Sequence, residues 1–129
     1  MSFISCKTFT PRYKDTDRYA KELIFDKLFK FTSDLNKITI LDCNLKGDVL
    51  EIDVQYSGGC EDHSFNLVFD EIWKKSMPPK VSLYLEHKDG DDLCKSIIKK
   101  TMRFNIKKLK EHYNEIHINL VGYSKSINY

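Results

Sequence analysis

The stretch "VLEIDVQYSGGCEDHSFNLVF" (49–69) decides the reading of this chain. In its first half Leu50, Ile52, Val54 and Tyr56 alternate with Glu51, Asp53 and Gln55. A period of two with one apolar face predicts a half-buried antiparallel strand. In its second half Phe65, Leu67 and Phe69 alternate in the same way. Between them lie two glycines, Cys60, two acids and His63.

The same period runs through the rest of the chain. "ITILDCNL" (38–45) predicts a strand, and "KGD" (46–48) a turn. "VSLYLEH" (81–87) alternates through Val81, Leu83 and Leu85. "KDGDD" (88–92) predicts a hairpin turn, because glycine and aspartate tolerate positive φ. "LCKSIIKKTMRFNI" (93–106) predicts a long strand, bulged in places, and "IHINLVGY" (116–123) a last one. "LKEHYNE" (109–115) is expected to be a loop or helical turn, and "DEIWKKSMPPK" (70–80) a long connection. "RYAKELIFDKLFKF" (18–31) is ambiguous. Tyr19, Leu23, Ile24, Leu28 and Phe31 fall near helical spacing, and a short helix is the expectation there. The predicted fold is mostly all-β: a single antiparallel β-sandwich of about seven strands over 19–129, with a short helical or irregular N-terminal extension and a tail or linker over 1–18.

Composition excludes several classes. At 129 residues and 41% apolar content the chain can bury a core without a metal or disulfide to fold it. Lys+Arg is 21 against Asp+Glu 19, and the net charge of +2 argues against a nucleic-acid surface. The lysines of "KSIIKKTMRFNIKKLK" (95–110) alternate with apolar residues, as on the wet face of a sheet. No apolar run approaches the roughly twenty residues of a membrane-spanning helix. "FISC" (3–6) resembles the end of a bacterial lipoprotein signal, with Cys6 as the lipidated residue. The charged and long apolar regions that precede such a cysteine are absent. The match is therefore either chance or a chain that begins partway through its signal.

Parity gives the odd residues a place. His63 is in phase with Phe65, Leu67 and Phe69, His87 with Val81, Leu83 and Leu85, and Cys94 with Ile98, Met102 and Phe104. If the 63–69 and 81–87 strands are antiparallel neighbours, Cys60, His63, His87 and Cys94 share one end of the sheet. Three readings follow. Cys60 and Cys94 could form a disulfide, closing a loop of over thirty residues and stabilising by roughly 3–4 kcal/mol in an oxidising compartment. Cys60, His63, His87 and Cys94 could hold a structural zinc, although H-x₆-C is a long spacing for a zinc knuckle. Or the cysteines are small apolar residues and the histidines bond to backbone carbonyls. Gly58, Gly59 and Gly90 are expected to serve turns or bulges; no Gly-Lys-Ser/Thr follows, so a phosphate loop is excluded. Cys60 as a nucleophile has no evident third orienting group. Glu61, Asp62, Asp89, Asp91 and Asp92 lack the calcium-loop order and are expected to be solvated turn acids. His112 and His117 are expected at the surface.

Tyr56, Ser57, Gly58, Gly59, Cys60, His63, Phe65 and Leu67, followed by His87, Asp91, Cys94 and Phe104, resemble the pattern of small bacterial envelope proteins, Tyr-Ser-Gly-Gly-Cys-x-x-His-x-Phe-x-Leu and onward. More distantly the chain is similar to the C-terminal β-sandwich of NigD-like lipoproteins. The resemblance covers roughly the C-terminal two thirds of the chain, and its cysteine-bearing motif is the specific part. It implies a sandwich, an extracytoplasmic location rather than a cytoplasmic one, and hence the Cys60–Cys94 disulfide; it implies no activity. The expected function is that of a non-catalytic envelope-associated protein, an accessory binding module without a cofactor. Its expected associations are with a membrane only through a lipid anchor and with a protein partner at an exposed edge strand. The alternative is a zinc protein or metal-dependent hydrolase that uses Cys60, His63, His87 and Cys94.

Overall fold

A computed structural model describes residues 20–31 and 38–129. The described residues form two packed β-sheets. The first has the order β1–β7–β4–β3, with β1 Lys21–Glu22, β3 Ile38–Lys46, β4 Val49–Gly58 and β7 Ser96–Asn105. The second has the order β2–β5–β6–β8–β9, with β2 Ile24–Phe25, β5 Ser64–Phe69, β6 Lys80–Lys88, β8 His117–Leu120 and β9 Ser126–Asn128. A 3-10 helix, Lys107–Glu111, joins β7 toward β8. The β-sandwich predicted by the alternation is the fold observed.

The alternating residues face inward. Leu50, Ile52, Val54 and Tyr56 of β4 and Met102 and Phe104 of β7 meet Phe65, Leu67 and Phe69 of β5 and Val81, Leu83 and Leu85 of β6, all buried. Each such apolar side chain contributes roughly 1.5–3 kcal/mol by leaving water. In β3 the pairing with β4 shifts between Ile40 and Asp42, so Leu41 is exposed while Cys43 turns inward. That extra residue is a β-bulge, which moves the inward set from even to odd positions.

Three features differ from expectation. The helix expected over 18–31 is absent from its described part, residues 20–31. Instead β1 runs parallel to β7 and β2 parallel to β5, with Leu23 buried between them. The extended backbone lets this short segment reach both sheets: Leu23 N–H donates to Asn105 and Asp26 N–H to Phe69. Phe29 and Phe31 then lie against Tyr84, 5.4 Å between ring centres in each case. Second, the sheets are mixed rather than wholly antiparallel, since β6 also pairs parallel with β8. Third, residues 88–92 do not close a hairpin between paired strands. They carry the chain from β6 in one sheet to β7 in the other. Residues 59–63 do the same between β4 and β5. The antiparallel registers Gly58↔Ser96 and Ser64↔Lys88 put both crossings at one end of the sandwich. The expected tail over 1–18, with Cys6, lies outside the described residues.

Candidate functional site

The two crossings, 59–63 and 89–95, are tied to each other at three levels. The outermost tie is covalent: Cys60 and Cys94 form a disulfide with their Cα atoms 5.9 Å apart. Cys60 is exposed and Cys94 half-buried.

The second tie is Asp92. Its carboxylate has no solvent exposure. Oδ2 accepts the backbone N–H groups of Gly59, Cys60 and Glu61 at 3.0, 3.2 and 3.1 Å, while Oδ1 accepts that of Cys94 at 3.0 Å. Oδ2 also receives His63 Nε2 at 2.8 Å. The hydrogen bond from His63, with the backbone donors, holds this carboxyl far below the ordinary carboxylate range against the cost of desolvation. Asp92 thus does for the 59–61 loop what a bound anion does for a nest of backbone N–H groups. The expectation of a solvated turn acid is overturned for Asp92; Asp91 is exposed, as expected.

The third tie is a pair of histidine rings. His63 Nδ1 lies 2.7 Å from His87 Nε2, and the rings meet edge to edge, with their planes 15° and their centres 5.0 Å apart. His87 is buried, with one face stacked on Phe65 at 4.6 Å, and Tyr56 contacts both histidines. Burial, then the neighbouring His63, pushes His87 down to about 4, opposed by the charge of Asp89. The network assigns the protons. With Asp92 ionised, His63 Nε2–H donates to it. His63 Nδ1 is then placed to accept from His87 Nε2–H. This leaves His87 Nδ1, which is buried and has no partner among the described residues, as a bare acceptor rather than an orphaned N–H. Burial, followed by the charges of Asp92 and Asp62, raises Tyr56.

Glycine makes this packing feasible. A Cβ on Gly58 would sit 2.7 Å from His63 Nε2 and 2.8 Å from Asp92 Oδ2, so no side chain fits there. At Gly90, φ is +62° and a Cβ would meet the Asp62 carbonyl at 2.8 Å. Gly59 has a φ of +118°, in the loop that wraps Asp92.

Cys60, His63, His87 and Cys94 are therefore brought to one end of the fold. Sequence reasoning named Asp92 only as a turn acid and Tyr56 as an inward and motif residue, and gave neither its place here: Asp92 organises the cluster and Tyr56 contacts both rings. The signal for Asp92 was thin: an aspartate two residues before a cysteine, in a turn rich in equivalent acids. Bonded to one another, the two sulfurs are not thiolate ligands, and both ring nitrogens of His63 are engaged. Chemically the cluster joins backbone segments. His63 is 2% and Asp92 0% exposed at the side chain, so a substrate has no path to either. Away from the cluster His112 is exposed and His117 is half-buried on β8. Cys43 is a buried free thiol pushed up to about 12 by burial, then by Asp42 and Asp53.

No protein-family model and no curated protein matches the chain. Solved structures do. A NigD-like immunity protein from Bacteroides caccae superimposes with a TM-score of 0.63 at 15% identity, over 85% of this chain and 58% of that one. A toxin-related protein from Parabacteroides distasonis gives 0.56 at 18% identity, over 85% and 59%. A protein of unknown function from Bacteroides vulgatus gives 0.55 at 14% identity, over 85% and 55%. The chain thus spans somewhat over half the length of the solved chains it matches. At these identities the likeness is one of fold.

Proposed function

We propose that the protein is a non-catalytic, envelope-associated β-sandwich that acts by binding another protein, in an immunity-type role. The observation that carries this reading is the sealed cluster. The groups that could do chemistry, His63, His87 and Asp92, are spent on fixing two loops, and the disulfide closes over them. A disulfide of this kind persists in oxidising compartments, which supports the extracytoplasmic location. The fold shared with a protein named a NigD-like immunity protein supports the kind of role. A lipid on Cys6 would supply the membrane attachment. An edge strand such as β3, bonded on one side to β4 among the described residues, would supply backbone groups for a partner. The experiment is cell fractionation with thiol alkylation before lysis. The proposal expects the protein in the envelope fraction with Cys60 and Cys94 blocked. Recovery in the cytosol with both thiols alkylated overturns it.

A further inference from the structure

We propose that Cys60, Cys94 and Asp92 form a second, reduction-gated state of the same site: a binding site for a thiophilic divalent cation such as zinc. The Sγ atoms of the two cysteines and a carboxylate oxygen of Asp92 all lie within 4.8 Å of one another. Two thiolates and a carboxylate are a donor set suited to zinc. The expected zinc set of two cysteines and two histidines is not the one the geometry offers. His63 turns its nitrogens to Asp92 and His87, which makes it a support for a ligand rather than a ligand.

Asp92 can serve without giving up its loop. Oδ2 carries the three bonds from residues 59–61 and the one from His63, whereas Oδ1 accepts only Cys94 N–H among the described residues. A lone pair of Oδ1 is left for a cation. The His63 hydrogen bond then acts as the outer contact that orients a ligating carboxylate. Asp92 is sealed while the disulfide lies over it. Cys60 is exposed, so opening the bond is what gives a cation access from solvent, with water as the fourth ligand.

The gating step balances as a thiol–disulfide exchange. A dithiol reductant gives two electrons and two protons to the Cys60–Cys94 bond and becomes a disulfide itself, leaving two thiols. The cation then displaces both thiol protons to solvent. For tetrahedral zinc the sulfurs must part to roughly 3.8 Å, which side-chain rotation can supply at a Cα separation of 5.9 Å. The proposal does not depend on the binding role above.

The test uses the full chain with Cys6→Ser and Cys43→Ala, so that only Cys60 and Cys94 carry thiols. The oxidised form and an anaerobically reduced, desalted form are each titrated with cobalt(II), then with zinc. Expected is one equivalent of cobalt in the reduced form alone, with a thiolate-to-cobalt band in the near ultraviolet and intense tetrahedral visible bands, both displaced by zinc. His63→Gln should weaken binding by roughly 10-fold while keeping the thiolate band. If the reduced chain loses its fold, circular dichroism with zinc added reads the same question, and recovery of the β signal supports the site. No tetrahedral cobalt spectrum and no zinc-dependent recovery overturns it. Equal binding by the oxidised form also overturns it.

Discussion

Removing the disulfide tests how much of the fold depends on joining the two crossings. The bond spans a sequence separation of 34. In the chain-entropy account a loop of that length restricts the unfolded chain by about 4 kcal/mol at 25 °C. Replacing both cysteines by alanine loses little burial, since Cys60 is exposed and Cys94 half-buried. The full entropic amount should therefore appear as lost stability. In urea, with an m of about 1.5 kcal/mol/M, the midpoint should fall by roughly 2.5 M. In a thermal scan Tm should drop by roughly 15 °C. The assay is urea unfolding followed by circular dichroism, comparing Cys60→Ala/Cys94→Ala with the oxidised parent. A loss below about 1 kcal/mol would rule out the disulfide as the main tie between the crossings. It would mean that Asp92 and the histidines keep the two loops together even in the unfolded ensemble, or that the bond does not form.

The remaining predictions concern the inner ties. His87 has its proton affinity lowered to about 4 in the folded state against 6.5 unfolded, so its contribution is complete above pH 6.5 and is lost as pH falls toward 4. The loss is on the order of 3 kcal/mol. Stability measured from pH 7 to pH 4 should fall more steeply for the parent than for His87→Phe, and parallel curves would refute the assignment. Gly58→Ala should cost about 2–3 kcal/mol by driving a methyl into His63 and Asp92. Gly47→Ala, which meets nothing within 4 Å, should cost about 1 kcal/mol from its positive φ alone, and thermal melts rank the two. Asp92→Asn puts an NH₂ among N–H donors and should lower Tm well beyond Asp91→Asn at its exposed neighbour; equal melting would show that the buried carboxylate does not organise the loops.

Much of the fold was legible because alternation reports burial directly. Leu50, Ile52, Val54 and Tyr56 had one physical meaning, and the structure buries all four. Parity also placed His63 and His87 at one end, because the antiparallel register of β5 and β6 fixes both. Turn chemistry was less informative. Gly90 and its neighbouring aspartates say that the chain reverses, but a hairpin and a crossing between sheets need the same positive φ. The helical spacing of Leu23 and Leu28 misleads, because what decides residues 21–25 is pairing with β5 and β7, far away in sequence. Asp92 was hidden for a related reason. Its burial comes from a loop thirty residues earlier folding over it, and nothing local separates it from Asp89 or Asp91.

Cys60 and Cys94 close a sealed, structural cluster, and the bond between them can be read directly. The direct measurement is peptide mapping of protein prepared without reductant from an oxidising compartment, alkylated under denaturing conditions and digested unreduced. The expected result is a cross-linked peptide pair joining Cys60 to Cys94, with Cys43 alkylated. Alkylation of both Cys60 and Cys94 in that sample would show that the bond is absent and the cluster open.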